Sequence, residues 1–285
     1  MRRWLFRLGI ALVTGLLLYG AAAAQNLTHA FVPQRSLEEQ IALIQPGIAI
    51  HLPSDADGPV PAILLFHGCG GERPMHTSYA ELITSAGYAV IIVDSFEPRG
   101  IGRFAAMTQV CAALRLLGQE RSADVFAALE IARQTDGIDP DRLVLAGWSH
   151  GGWTLLEAMR FVSEETRPVA LTDGALSFDG VQTIVPIYPY CSFPSRASGR
   201  IGPGLPAVVM ILSGRDRVAP VGACQRLAAN ARNAGAVFHD EVWEGLTHAF
   251  DDPDTPVLDP RMSYDADAAG RLQSRLIEIL QETQG

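Results

Sequence analysis

Lysine is absent from this chain of 285 residues, in which all 22 basic residues are arginine. This absence excludes reactions that need a lysine ammonium group, such as Schiff-base formation, lysine-bound pyridoxal phosphate and the phosphate-binding P-loop. Positive charge is also scarce, because 31 acidic residues give a formal net charge of -9. Since nucleic-acid phosphates are bound by clustered cations, we expect no nucleic-acid partner.

Only one long apolar run stands outside the alternating pattern of the chain, and it lies at the N-terminus. Arg2, Arg3 and Arg7 precede an apolar stretch over residues 8–19 and the small residues Ala21 to Ala24. This order predicts a signal peptide over residues 1–24, cleaved after Ala24, and an exported protein that is periplasmic or extracellular. A membrane anchor is the alternative, but the run is shorter than the ~20 residues that span a bilayer, so we expect no stable anchor after cleavage.

Four cysteines are present, and none is arranged as a CxxC pair. Their wide spacing argues against a zinc site, and we predict neither a metal nor a cofactor. An even count in an exported chain indicates two disulfides, for which three pairings are possible. The cysteines are Cys69, Cys111, Cys191 and Cys224.

Residues 25–285 read as a single α/β domain, because apolar strand-like segments alternate with helix-like segments. The runs AILLF, YAVIIV and AVVMIL are nearly continuous, which is typical of strands covered on both faces. We therefore predict a mostly parallel central sheet with helices on both faces. The predicted strands are 48–52, 62–66, 88–93, 143–146, 183–188, 207–212 and 237–242, and the predicted helices are 76–86, 120–134, 152–162, 221–234 and 266–282.

The segment GWSHG, residues 147–151, follows a predicted strand and precedes a predicted helix. A G-x-S-x-G sequence in this place is a nucleophile elbow, a sharp turn that raises its serine above the sheet. We predict that Ser149 is the nucleophile and that the backbone N–H of His150 contributes to the oxyanion hole. The second donor is expected from the HGCGG loop after strand 62–66, as the N–H of Cys69, with His67 organising that loop rather than acting as the base.

The partners of such a serine follow it in the order acid, then histidine. His248 follows strand 237–242 and is the predicted base, whereas His239 lies within that strand and is expected on its face. Asp216 follows strand 207–212 and is the predicted acid. The rival carboxylates are Asp179, Asp240 and the run 251–254, and we expect that run to form a solvated loop.

These motifs together resemble the dienelactone hydrolase family of the α/β-hydrolase superfamily. HGCGG, DSFEPRG, GWSHGG, SGRD and THAF follow the layout of that family from about residue 45 to the C-terminus. The resemblance implies an α/β-hydrolase fold and a triad of Ser149, Asp216 and His248, the residues reached from strand order. Dienelactone hydrolase itself uses a cysteine nucleophile, so Ser149 is a departure that points to a serine esterase of the same fold.

The predicted function is hydrolysis of small-molecule carboxylic esters or lactones through an acyl-enzyme. A peptidase or acyltransferase with the same triad remains an alternative, as does a binding protein without catalytic activity.

Connections after neighbouring strands carry the cysteines, which predicts Cys69–Cys111 and Cys191–Cys224 disulfides around the mouth of the site. Arg73, Arg99 and Arg103 lie on loops near the same mouth, either as solvated surface charges or to bind a substrate carboxylate. We predict substrate contacts for Arg73, Arg99 and Trp148.

Overall fold

Seven apolar segments form the strands of one sheet in the computed structural model, which describes residues 2–29, 31–198, 201–255 and 259–282. The strand order is β1-β3-β2-β4-β5-β6-β7. The strand β1 pairs antiparallel with β3, and every other pairing in this sheet is parallel. The strands are β1 (Ile48–His51), β2 (Val60–Phe66), β3 (Ala89–Val93), β4 (Ile138–Trp148), β5 (Val181–Ile187), β6 (Ala207–Ser213) and β7 (Phe238–Trp243). All seven predicted strands are confirmed.

The five predicted helices are also present, and the structure adds helices that the apolar pattern did not predict. The helices are α1 (Arg2–Thr28), α2 (Leu37–Ile44), α3 (Pro74–Ser85), α4 (Arg103–Ala105), α5 (Gly118–Arg133), α6 (His150–Ser163), α7 (Val221–Asn233) and α8 (Ala266–Glu282). Helix α2 begins with a capping box, in which Ser36 Oγ accepts the N–H of Glu39 and the Glu39 carboxylate accepts the N–H of Ser36. This S-x-x-E signal was legible in the sequence.

Side chains on the two faces of the sheet pack against different helices. Ala62, Leu64 and Phe66 of β2 belong to one cluster, together with residues of α2, α5, α6 and α7. Ile63 and Leu65 point the other way and pack with residues of α3 and α8. The two-residue period of a strand thus divides one apolar run between two cores. Burying each of the larger side chains contributes about 2 kcal/mol. Since both faces of the strand are buried, an apolar residue is favoured at every position of the run.

Helix α1 contains the segment predicted to be a signal peptide. Among the side chains of α1 that the structure describes, Leu16, Leu17 and Leu18 are each more than 60% exposed. In the part of the chain that the structure describes, no helix combines the length and apolar composition needed to cross a membrane. The signal peptide, its cleavage after Ala24 and the single domain over residues 25–285 stay predictions.

Both predicted disulfides are present, Cys69–Cys111 and Cys191–Cys224. They join residues that are 42 and 33 positions apart in the sequence. Loop-closure entropy gives about 4 kcal/mol of stabilisation for each at this length. Disulfides form and persist in oxidising compartments, so the pair is consistent with an exported protein.

The chain turns from β4 into α6 at Ser149, whose φ of 50° and ψ of -107° lie outside the regions that L-residues ordinarily occupy. Two glycines let the strand and the helix approach each other at this turn. A Cβ on Gly147 would lie 2.6 Å from the carbonyl carbon of Gly151, and a Cβ on Gly151 would lie 2.1 Å from the carbonyl oxygen of Phe66. Strain at Ser149 costs about 1–3 kcal/mol, and the packing around these glycines maintains it.

We expect Gly151→Ala to lower the free energy of unfolding by more than ~4 kcal/mol, because the added methyl group collides with backbone that cannot move without opening the β2–β4 pairing. Urea denaturation followed by circular dichroism measures the change.

Gly270→Ala in α8 is the matched control, since a Cβ there has no heavy atom within 4 Å. It should stabilise the protein by up to about 1 kcal/mol through helix propensity. Equal stability of the Gly151→Ala variant and the native protein would contradict this account of the turn.

Candidate active site

Three side chains from three different loops meet beyond the carboxyl ends of the central strands. Ser149 Oγ lies 2.9 Å from His248 Nε2, and His248 Nδ1 lies 2.6 Å from Asp216 Oδ2. Because a carboxylate only accepts, Nδ1 carries the imidazole proton and Nε2 presents its lone pair to the serine hydroxyl. This arrangement can withdraw the serine proton as the oxygen attacks a carbonyl carbon.

The loop after β6 holds the carboxylate of Asp216 in a fixed orientation. Its Oδ1 accepts the backbone N–H groups of Val218 and Ala219 at 2.8 and 2.7 Å, which leaves Oδ2 for the imidazole. The N–H of Arg215 donates to the carbonyl of Leu246 at 2.8 Å, so this loop is also joined to the loop that carries the histidine. The side chain of Asp216 is only 1% exposed.

The other candidate acids and the other histidine lie elsewhere. Asp240 on β7 forms an ion pair with Arg232. Asp179 precedes β5 and therefore lies at the opposite end of the parallel strands from Ser149. His239 is exposed on β7, on a strand face as expected. Of the carboxylates weighed from the sequence, Asp216 is the one that the structure places at the imidazole.

The loop after β2 lies beside the serine. A Cβ on Gly68 would be 3.6 Å from the Cβ of Ser149, which is van der Waals contact. Among the residues that the structure describes, no acceptor bonds the N–H of Cys69. His150 is the first residue of α6, so its N–H has no acceptor within the helix. The two N–H groups are thus free of backbone acceptors in the described structure, and their role as oxyanion donors stays a prediction.

A buried arginine that the sequence did not single out contacts both the HGCGG loop and the first residue of α6. Arg121 of α5 is fully buried; its Nη1 donates to the carbonyl of His67 at 2.7 Å and lies 3.1 Å from His150 Nδ1. Its Nε donates to Ser95 Oγ at 2.9 Å. Burial lowers the pKa of Arg121 to about 10, so the group stays charged at neutral pH, with Asp124 as the largest compensating charge. One guanidinium therefore connects the HGCGG loop to the first residue of α6.

Three histidines are buried around this guanidinium and are neutral. Burial lowers the pKa of His67, of His150 and of His76, the last to about 3. In His67 the Nε2 accepts the N–H of Ser95 at 3.2 Å and Nδ1 donates to the carbonyl of Gly68 at 2.7 Å. Both ring nitrogens of His67 hold backbone, which fits a residue that organises its loop and leaves no nitrogen for the serine.

The predicted substrate contacts of Arg73 and Arg99 are not what the structure shows. Arg73 Nε lies 3.2 Å from Asp252, and its Nη2 donates to the carbonyl of Asp254 at 3.0 Å. Both terminal nitrogens of Arg99 donate to the fully buried carboxylate of Asp124, at 2.7 and 3.1 Å. These guanidinium groups connect segments of the fold because acidic partners within the chain already occupy their donors.

Arg99 also lies in the wall of a cavity away from the loops of the triad. It lines this cavity of about 480 Å³ together with Arg35, Arg115 and Glu120. Ser149 does not belong to the walls of this cavity in the described structure. The place of Arg99 on the loop after β3 was therefore not enough to predict the direction of its side chain.

Two further expectations are wrong for the same physical reason, which is burial. Trp148 was expected to contact substrate, but it is 1% exposed and its Nε1 donates to Asp251 at 2.7 Å. Asp251 was expected in a solvated loop, but it is 3% exposed and also accepts the hydroxyls of Tyr79 and Tyr188.

In the described residues, no group of three or more His, Cys, Asp or Glu side chains is placed to hold a metal ion.

The mostly parallel sheet, the strained serine turn and the loops that bring the three side chains together define an α/β-hydrolase. The chain belongs to the dienelactone hydrolase family, whose family model matches residues 48–284.

Solved structures share this fold at low sequence identity. The dienelactone hydrolase-like promiscuous phosphotriesterase P91 from metagenomic libraries is 17% identical, with a TM-score of 0.60 over 83% of this chain and 92% of that chain. A dienelactone hydrolase from Klebsiella pneumoniae is 19% identical, with a TM-score of 0.60 over 82% and 92%. Esterase 2 of Thermogutta terrifontis is 17% identical, with a TM-score of 0.62 over 82% and 88%.

Two curated relatives are similar over shorter segments. The quorum-quenching protein AidA of Acinetobacter baumannii is 34% identical over 97 residues, which are 34% of this chain and 30% of the relative. A dipeptidyl-aminopeptidase B of Grosmannia clavigera is 40% identical over 98 residues, which are 33% of this chain and 10% of the relative. The chain thus matches less than a third of the length of either protein.

Acid should destabilise the fold through its buried neutral histidines. Below about pH 6.5 an unfolded histidine binds a proton, whereas His76 in the folded protein stays neutral down to about pH 3. The stability that neutral His76 contributes to the folded protein is therefore fully present above pH 6.5 and is lost as the pH falls toward 3. Removing the group in His76→Gln should reduce the slope of unfolding free energy against pH by up to about 1.4 kcal/mol per pH unit.

Urea unfolding curves at pH 7, 6 and 5 measure this slope in both proteins. An identical slope in the variant would show that His76 takes up its proton without unfolding.

Proposed function

We propose that this protein is an exported serine esterase that cleaves small carboxylic esters or lactones through an acyl-enzyme. The observation that carries the proposal is the chain of contacts from Ser149 Oγ through His248 to Asp216, at 2.9 and 2.6 Å. Family membership supplies the ester bond as the target, and the serine at the turn supplies the nucleophile.

The reaction proceeds in two steps from this geometry. Ser149 Oγ attacks the ester carbonyl while His248 Nε2 takes the hydroxyl proton, and the imidazolium that forms is stabilised by Asp216. His248 then passes the proton to the leaving alcohol, and the acyl group stays on the serine. Water, activated by the same imidazole, releases the acid and restores the enzyme.

The oxyanion of each tetrahedral intermediate would accept the backbone N–H groups of Cys69 and His150. Each such donor contributes up to about 3–4 kcal/mol to transition-state stabilisation in comparable sites. The charged Arg121, which contacts the His67 carbonyl and the His150 ring, adds a positive field of the right sign. The Cys69–Cys111 disulfide limits the freedom of the first donor.

Export is supported by the predicted signal peptide over residues 1–24 and by the two disulfides, which suit an oxidising compartment. Esterase 2 of Thermogutta terrifontis, which shares this fold, was solved phosphorylated by paraoxon. For this chain we therefore expect irreversible labelling of Ser149 by organophosphorus reagents.

Replacement of the nucleophile is the direct test. Ser149→Ala should lower the turnover of p-nitrophenyl acetate about 10⁶-fold in the chemical step, as for other triads. A fluorophosphonate probe should label the native protein at Ser149 and leave the variant unlabelled. Unchanged turnover in a folded variant would refute Ser149 as the nucleophile, and a folded native protein inert to esters, lactones, peptides and probe would favour the binding-protein alternative.

Opening the disulfide beside the oxyanion loop should separate stability from catalysis. In Cys69→Ser/Cys111→Ser we expect a loss of about 4 kcal/mol of stability and a fall in kcat of at least about tenfold, because one oxyanion donor loses its fixed position. The assay is run at a temperature where circular dichroism shows the variant folded. A normal kcat in the folded variant would show that the disulfide does not position Cys69.

A further inference from the structure

Asp251 is a buried carboxylate that the proposed mechanism does not use. Its Oδ2 accepts the indole N–H of Trp148 at 2.7 Å and the hydroxyl of Tyr79 at 2.9 Å, and its Oδ1 accepts the hydroxyl of Tyr188 at 2.6 Å. Among the residues that the structure describes, no arginine forms an ion pair with Asp251. Three uncharged donors thus bind a carboxylate that is buried away from water.

These donors lie next to the reacting residues. Trp148 directly precedes Ser149 in the strained turn, and the ring of Tyr188 packs edge-on against the imidazole of His248 with 4.8 Å between ring centroids. Asp251 itself stands three residues after His248, beyond Ala249 with its φ of 52°. A single side chain therefore joins the loop of the base to the turn of the nucleophile.

We propose that Asp251 is a positioning residue for the reaction proposed above: its carboxylate fixes Trp148 and Tyr188, and through them it holds the imidazole of His248 against Ser149 Oγ. The proposal rests on the esterase mechanism, in which the 2.9 Å contact between these two side chains is the path of the proton. Misplacement of a reacting group by about 1 Å can cost 10²-fold in rate.

The donor set indicates that Asp251 acts as an anion. Burial raises the pKa of Asp251 above its ordinary value, and the hydrogen bonds from Tyr188, Trp148 and Tyr79 oppose that rise. Three donors converge on the two oxygens of Asp251, and hydrogen bonds donated to a carboxyl group favour its ionised, acceptor-only form. The 2.6 Å contact with Tyr188 is also in the range of an O–H bonded to a charged oxygen.

A purely structural role would not require this residue. Burying a carboxylate without a cation is costly, and apolar side chains of similar volume often stabilise such positions equally well or better. The carboxylate differs from an apolar replacement in orienting three donors from three segments, which are α3, the serine turn and the end of β5. That orientation is what an aligned Ser149 and His248 need.

Asp251→Asn tests the proposal, because the amide keeps the shape but replaces one accepting oxygen with a group that cannot accept. We expect kcat for p-nitrophenyl acetate to fall between about 10- and 10²-fold while KM changes less than about twofold. The rate of fluorophosphonate labelling should fall in parallel, since it reports the activation of Ser149 without turnover. If Asp251→Asn does not fold, Tyr188→Phe provides the test. This variant keeps the ring and removes the hydroxyl, so we expect a smaller fall in kcat of the same kind.

Glu157→Gln is the matched control. Glu157 is another fully buried carboxylate, on α6, and it accepts from Trp153, Ser195 and Arg160 rather than from the triad or its neighbours. Its replacement should lower thermal stability and leave kcat within about twofold of the native value.

The outcomes separate this inference from the function on which it rests. A native protein that the probe does not label overturns the esterase proposal. Suppose instead that the native protein is labelled at Ser149. If Asp251→Asn and Tyr188→Phe both keep the native kcat, or both lose no more kcat than Glu157→Gln does, the positioning role is overturned. The esterase proposal is then left intact.

Discussion

The close approach of β4 and α6 at Ser149 is the constraint on which the rest of the site depends. The backbone of Gly151 touches that of Phe66, so the serine turn, the helix and the end of β2 form one packed unit. The HGCGG loop follows β2 directly and so lies beside the serine, and the first N–H of α6 has no acceptor because it begins the helix. A strained φ at Ser149 is tolerated because parallel pairing of β4 with β2 and β5 fixes both sides of the turn.

Two buried ionisable side chains, one basic and one acidic, contact this unit. Arg121 ties the oxyanion loop to His150, and Asp251 ties the serine turn to the region of His248. Each is costly to bury, and each is held by oriented groups from several segments. The neutral histidines around Arg121 follow from its charge and from burial, since a second cation there would be unfavourable. The polar interior thus maintains positions that apolar packing alone would leave loose.

Local patterns were enough to predict the strands and most helices. Runs such as AVVMIL favour a strand wherever they are buried, and the order of serine, acid and histidine follows from which loop comes after which strand. The same reasoning led to Ser149, Asp216 and His248 as one group, and the structure brings these three together. Helix α2 was not predicted, although its capping box is a local signal that could have been used.

The sequence by itself determined which residue types stand at the ends of the strands, because hydrophobic period and glycine spacing are local properties of the chain. Only the tertiary structure decided which polar side chains turn inward. Arg99 bonds Asp124 instead of facing the serine, and Asp251 lies in the interior although its neighbours Asp252 and Asp254 pair with Arg73 at the surface. The partners of a buried polar group come from distant segments, and their distances depend on how helices and loops pack on the sheet.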